Sequence, residues 1–181
     1  MFYSLIHYPK IDKSKINEFR HKYDPYVNLV DSHITLVFPV PSEIGLGELI
    51  NHVSRQLTGW QPFEAEIKGL EKSWDHWLFL TLEGGNKKVI ELHDKLYEGI
   101  LSPYLRSDIE FVPHIAIGLF VKDQYDLRDP KAVEFDRETY NVALREAEAL
   151  DVVQTYLMDS LTLIEIDDKF KTSKTLKEFK F

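Results

Sequence analysis

Two histidines, His33 and His114, each open an apolar, β-branched run. The runs are Asp31-Ser32-His33-Ile34-Thr35-Leu36-Val37-Phe38 and Phe111-Val112-Pro113-His114-Ile115-Ala116-Ile117-Gly118. In both, a small residue follows the imidazole by two positions. Residues i and i+2 of a strand share a face. His33 and Thr35 are therefore expected on one face, with Ile34, Leu36 and Phe38 on the other. The second run repeats the pattern, with His114 and Ala116 set against Ile115 and Ile117. Two imidazoles aimed from two such strands into one cleft have the parts of a general acid–base pair. An unperturbed imidazole, with a pKa of about 6.5, can take or give a proton near neutral pH.

The elements that must position these residues alternate between strand and helix. Residues 2–8 read as a strand, and Asp12 to Tyr23 as a helix with Asp12 at its N-cap. Residues 34–40 carry the first run and stop at Pro39 and Pro41. A helix is expected from Ser42 to about Thr58, with Leu46, Leu49, Ile50, Val53 and Leu57 at helical spacing. Strands follow at 62–70 and 77–83, joined by a turn around Ser73 to His76. The spacing of Val89, Leu92, Leu96 and Ile100 predicts a long helix from Asn86 to Tyr104. Residues 111–121 carry the second run. A helix over Glu138 to Leu150 and strands at 158–166 and 176–181 complete the chain. This order suggests an α+β fold of two related lobes, each with a small antiparallel sheet and outer helices. With no linker between them, residues 1–181 are expected to form one bilobal domain around a central cleft.

Composition narrows the classes. The chain has 181 residues, 44% hydrophobic and 29% charged, ordinary for a globular protein. No apolar run reaches membrane-spanning length, so no membrane partner is expected. The N-terminus reads as a first strand and not as a signal peptide. Cysteine is absent, which excludes disulfides and thiolate metal sites and suits a cytoplasmic location. The formal net charge of −8 works against long nucleic-acid duplexes, whose binding rests on neutralised phosphates. A short nucleic-acid end or a small nucleotide is the more plausible ligand of that class. A monomer is expected.

The two runs together resemble the signatures of the two-histidine (2H) phosphoesterase superfamily. His33-Ile34-Thr35-Leu36 is similar to its H-x-[ST]-h motif, where h is hydrophobic. Residues 111–118 are similar to its second motif, F-x-P-H-I-[ST]-h-G. One such tetrapeptide arises often by chance, whereas two in matched contexts are specific. The superfamily includes the 2′-5′ RNA ligase-like proteins and the RNA 2′,3′-cyclic phosphodiesterases. The resemblance implies a bilobal fold with a pseudo-two-fold axis. It also implies cleavage or transfer at 2′,3′-cyclic or 2′,5′-phosphodiesters, without metal or other cofactor. His33 and His114 would be acid and base in an order the sequence leaves open. Thr35 and residue 116 would hold the phosphate. Ala116 stands where the family has Ser or Thr, and Leu119 where many members have Arg. The missing hydroxyl predicts reduced or altered activity, with Lys122 or Arg128 as cations that could compensate. A nucleotide- or RNA-end-binding module that has lost efficient catalysis is the alternative. A relative acting on a non-nucleotide phosphoester is a third.

The remaining candidates carry less chemistry. His7, His21, His52, His76 and His93 have no matched partner or metal-ligand spacing, and surface or core-edge positions are expected for them. Trp77 and Phe79 are expected in the core and Trp60 at a helix–strand junction. Trp74, in a turn, is the tryptophan best placed to stack on a base. Phe38, Phe111 and Phe120 flank the two runs. The charged stretch Asp123 to Glu138 reads as a solvated loop, and the family resemblance implies that such a loop, with Arg128 and Lys131, can border the cleft.

Overall fold

The computed structural model describes residues 1–122 and 133–181. Among these residues eight strands form two four-stranded antiparallel sheets, in the orders β2-β1-β7-β8 and β5-β4-β3-β6. The first sheet comprises β1 (Phe2–His7), β2 (Ile34–Pro41), β7 (Ser160–Ile166) and β8 (Ser173–Lys180). The second comprises β3 (Phe63–Lys72), β4 (Trp77–Gly84), β5 (His114–Leu119) and β6 (Gln154–Met158). The α-helices among the described residues are α1 (Ser14–Tyr23), α2 (Leu46–Gln56), α3 (Asn86–Leu96) and α4 (Arg137–Glu148). The architecture is α+β and bilobal, as expected. Among the described residues no helix is long and apolar enough to cross a membrane.

The lobes repeat one topology. β1–α1–β2 builds one motif-bearing edge, and β4–α3–β5 builds the other. After each unit the chain crosses over: β3 joins the sheet of β4, and β7 returns to pair with β1. The first lobe is therefore assembled from both ends of the chain. Each helix also packs across the junction, α1 against β5 and α3 against β2. One continuous apolar core results, with Leu36, Leu80, Ile117, Leu92 and Leu163 all fully or nearly fully buried in it.

Several boundaries differ from the sequence reading, for local reasons. Asp12 does not cap α1. Its carboxylate accepts the Ser14 amide at 2.9 Å, and Lys13 holds the cap position. The helix expected over 42–58 is a 3₁₀ turn at Ser42–Ile44 followed by α2, because Gly45 between them sits at φ +81°. The helix expected over 86–104 ends at Leu96. Gly99, at φ +59°, then turns the chain into a 3₁₀ segment over Gly99–Tyr104 that contains Pro103. Only residues 114–119 of the expected 111–121 strand pair as strand. The strand β6 has no counterpart in the sequence reading, and Asp159 divides it from β7.

The two motif strands share a further device. On β2, Thr35 pairs with Ile6 and Val37 with Leu5, leaving Leu36 as an extra residue. On β5, Ala116 pairs with Phe79 and Gly118 with Leu78, leaving Ile117 extra. Each slip falls three residues after the histidine, and such bulges reverse the inward–outward phase beyond them. Val37 is consequently in the core and Phe38 is only half-buried, against the expectation that Phe38 shares the face of Leu36.

Gly118 sits just past the second slip, beneath α1. A Cβ there would stand 2.8 Å from Cζ of Phe120 and 3.0 Å from Cβ of Tyr23. Overpacking of this kind costs about 1–3 kcal/mol. Gly118→Ala is expected to lower the unfolding free energy by that amount, read as a lower urea midpoint at an unchanged m-value. An unaffected midpoint would remove the packing role given to this glycine.

Candidate active site

His33 and His114 stand at the entrances of two edge strands, and one geometry holds both. The Nδ1–H of His33 donates to the carbonyl of Asp31 at 2.8 Å. The Nδ1–H of His114 donates to the carbonyl of Val112 at 2.5 Å. In each case the acceptor lies two residues upstream. A carbonyl can only accept, so Nδ1 carries the proton and Nε2 keeps a free lone pair. Neither Nε2 has a protein partner among the described residues, and neither is sealed from solvent.

The lead-in to each histidine is anchored on a helix. For His33 the anchor is Arg20 of α1, 3% exposed. Its Nε donates to Asp24 at 2.8 Å, its Nη2 to the Val30 carbonyl at 2.9 Å and its Nη1 to Ser32 at 3.3 Å. Lys13 pairs with the Asp31 carboxylate at 2.7 Å, which steadies the residue whose carbonyl receives His33. For His114 the anchor is aromatic. His93 of α3 stacks on Phe111 with centroids 3.8 Å apart and planes 10° apart. The Pro113 carbonyl accepts the Leu82 amide at 3.3 Å.

Each imidazole is also flanked by an aromatic ring. Phe79 stacks on His114 at 3.5 Å and 17°. Tyr8 meets His33 edge-on at 6.5 Å and 67°. Tyr26 of the 24–33 loop stacks on Trp77 of β4 at 6.1 Å, tying the His33 lead-in to the opposite lobe. Burial holds both imidazoles to a pKa of about 4. The carbonyl bonds act in the other direction without overcoming it. For His33 the nearby charges of Arg20 and a protonated His114 lower it further. For His114 the Asp75 carboxylate works upward. That His114 acts on His33 at all places the two in one electrostatic environment. Thr35 lies beside His33, half-buried, with Ile34 and Leu36 fully buried behind it. Ala116 lies equivalently between the buried Ile115 and Ile117, so the second strand presents a methyl group where the first presents a hydroxyl.

The sequence model of the 2'-5' RNA ligase superfamily matches residues 8–154, which include both histidines and both helix anchors. The chain belongs to the 2'-5' RNA ligase superfamily. Among curated relatives, a Bacillus licheniformis protein named "Putative phosphoesterase" is 24% identical over 127 residues, covering 68% of this chain and 73% of that one. A protein of the same designation from Halalkalibacterium halodurans is 29% identical over 106 residues, covering 56% of this chain and 60% of that protein's length. The fold matches E. coli LigT, solved in complex with 3'-AMP, with a TM-score of 0.62 at 14% identity. That match covers 99% of this chain and 97% of LigT. It also matches TT0787 of Thermus thermophilus, with a TM-score of 0.64 at 17% identity and coverage of 99% and 97%.

Other sequence expectations fare differently in this superfamily member. Lys122 is ion-paired with Glu134, and Arg128 and Lys131 lie outside the described residues. Phe79 is not a core residue; it lines the site on the ring of His114. Trp77 is buried as expected, Trp74 is 52% exposed in its turn, and Phe120 faces the core. His7, His52 and His93 are fully buried, not at the surface. His7 and His52 bond the carbonyls of Ser160 and Leu96, each at 2.8 Å. A groove of about 910 Å³ beside α3, lined by Trp60, Lys87, Lys88 and Glu91 among others, contains neither motif histidine.

The Arg20–Asp24 pair is the buried ionic element behind His33. Removing one partner of such a pair typically costs about 3–5 kcal/mol, because the other charge is left uncompensated. Arg20→Met is expected to lose stability on that scale in chemical denaturation, and Arg20→Met with Asp24→Leu to recover much of it. Equal losses in the single and double variants would show that the pair itself carries nothing.

Proposed function

We propose that the protein is a phosphoesterase acting on 2′,3′-cyclic phosphates or 2′,5′-linked nucleotides at short RNA ends, with His33 and His114 as its acid–base pair. The observation that carries this reading is the matched pair of imidazoles, each locked with Nδ1–H on a carbonyl and Nε2 unpaired. The complexes of LigT with 3'-AMP and with phosphate support the ligand class. One Nε2, unprotonated, removes a proton from water as the oxygen attacks phosphorus. The other, protonated at Nε2, gives its proton to the ribose oxygen as the P–O bond breaks. The two roles exchange in the reverse, bond-forming direction. The Thr35 hydroxyl donates to a non-bridging oxygen and keeps the phosphorus in line with attack. The developing charge is met by the imidazolium and the hydroxyl, and the scheme calls on no metal ion.

A second reading is favoured by Ala116. Loss of one donor to the transition state costs on the order of 10²–10³ in rate, which would leave a module that binds a nucleotide end and turns it over poorly.

The pH dependence follows from the depressed pKa values. In the empty cleft both imidazoles are neutral near neutral pH, since their folded pKa is about 4. The singly protonated pair that the scheme requires forms in the free protein only toward acid pH. Thus kcat/KM is expected to rise as pH falls into the acid range. A bound phosphate anion favours the imidazolium, so the kcat profile is displaced to higher pH. Hydrolysis of the four 2′,3′-cyclic mononucleotides in EDTA tests the reading. Turnover is expected to resist EDTA and to fall about 10²–10⁴-fold in His33→Ala and in His114→Ala. Saturable binding without turnover selects the binding module. Turnover equal in the wild type and in a variant carrying both His33→Ala and His114→Ala sinks the acid–base assignment.

A further inference from the structure

The second half-site lacks a hydroxyl along its own strand, yet a hydroxyl stands directly beside its histidine on the next one. Thr81 of β4 is the cross-strand partner of His114. Directly opposed residues of an antiparallel pair share a face, with Cβ atoms about 4.5–5.5 Å apart. Two residues along one strand are about 6.6 Å apart. Thr81 is thus no farther from His114 than a residue at position 116 would be. Its flanking residues Leu80 and Leu82 are buried, whereas Thr81 is half-buried on the histidine face.

The hydroxyl of Thr81 has no hydrogen-bond partner among the described residues. Its Oγ1 faces Gly69 of β3, the strand on the other side of β4 from β5. A Cβ at Gly69 of β3 would stand 2.6 Å from the Thr81 Oγ1, so a side chain there would press on the hydroxyl. Gly69 has φ +141°, within the region that favours glycine, and the β3–β4 register slips beside it. The β3–β4 pairing is irregular beside this hydroxyl, and a change of the Thr81 χ1 rotamer would carry it from Gly69 to the histidine side. In the first half-site the lateral place beside His33 is taken by Tyr8, and the hydroxyl is along the strand at Thr35.

We propose that Thr81 supplies the substrate-holding hydroxyl of the second half-site, the role that Ala116 cannot fill. The proposal rests on the phosphoesterase reading and assigns Thr81 a donor contact to the bound phosphate ester. The donor has moved one strand sideways, so the phosphate is gripped by Thr35 from β2 and by Thr81 from β4. The Ala116 methyl between them leaves the floor open for the ester.

The test uses the full chain and four variants, Thr81→Val, Thr81→Ser, Ala116→Thr and the double variant T81V/A116T, on a 2′,3′-cyclic mononucleotide. Valine keeps the β-branched shape of threonine and its strand preference. Thr81→Val is expected to lower kcat about 100-fold, while Thr81→Ser stays within about threefold of wild type. Adding Ala116→Thr to Thr81→Val is expected to restore most of the loss, because it returns a hydroxyl to the same phosphate. Thr81→Val that turns over like wild type, with His33→Ala inactive, would overturn the proposal and leave the acid–base reading standing. Should the wild type turn over no cyclic nucleotide, inorganic phosphate titrated by NMR decides the matter. Weaker phosphate binding in Thr81→Val, but not in Thr81→Ser, supports the donor role, and equal binding in all three proteins overturns it.

Discussion

A backbone carbonyl two residues upstream of each motif histidine sets the protonation pattern of the whole site. It accepts from Nδ1 and thereby exposes an unprotonated Nε2. Much of the surrounding structure can be understood as holding those two carbonyls and those two rings. The carbonyl of Asp31 is steadied through Lys13 and the buried Arg20 cluster. That of Val112 lies beside Phe111, which is stacked on the buried His93. Phe79 then restrains the ring of His114 face-on, leaving it little freedom to rotate about its Cβ bond. Imidazole orientation is a soft torsion in isolation. Here it is fixed by hydrogen bond on one edge and by packing on one face.

The same task is solved twice with different side chains. Both motif strands are sheet edges, both slip by one residue three positions after the histidine, and both rest on the helix of the opposite lobe. These shared features are backbone features, and they follow from the repeated topology. The side chains that tune each half are not shared. An arginine network anchors one lead-in and an imidazole–phenyl stack the other. Tyr8 and Thr35 flank His33, whereas Thr81, Phe79 and Ala116 flank His114. The ester that would sit between these half-sites is itself unsymmetrical, with an entering oxygen on one side and a leaving oxygen on the other. Unequal neighbours are one way to give two equivalent imidazoles unequal duties.

Features that depend on near neighbours along the chain are legible in the sequence itself. The alternation around His33 and His114, the buried positions behind them and the α+β order of elements follow from period-two and period-3.6 patterns. What stays hidden depends on register. The bulges at Leu36 and Ile117 leave no compositional mark, since both residues are apolar like their neighbours. Phe79 reads as one more core residue of a strand, and only its pairing opposite Ala116 brings its ring to His114. Thr81 reads as an ordinary strand threonine for the same reason. Gly45 and Gly99 are visible as glycines, but helical spacing on both sides of each masks the break that their positive φ imposes. His93 lacks a partner in sequence because its partner, Phe111, is supplied by the fold. The strand β6 gives no clear signal because its only buried residues are Tyr156 and Met158, too few to announce alternation.

Burial of the two imidazoles has a consequence for what the cleft will accept. Surroundings that hold a histidine to a pKa of about 4 disfavour its charged form. The empty cleft is therefore neutral at its centre, in a chain whose formal net charge is −8. Under the proposed function, a phosphate ester would bring the missing charge. Its anion stabilises the imidazolium, and by linkage the imidazolium stabilises the bound anion by the same free energy. Near neutral pH, proton uptake and ester binding would then be coupled, so that the acid is loaded as the leaving group arrives. An extended polyanion gains nothing further from an acidic exterior. Under the same proposal, the local exchange at the two Nε2 atoms would favour a single phosphate at a chain end over a long duplex.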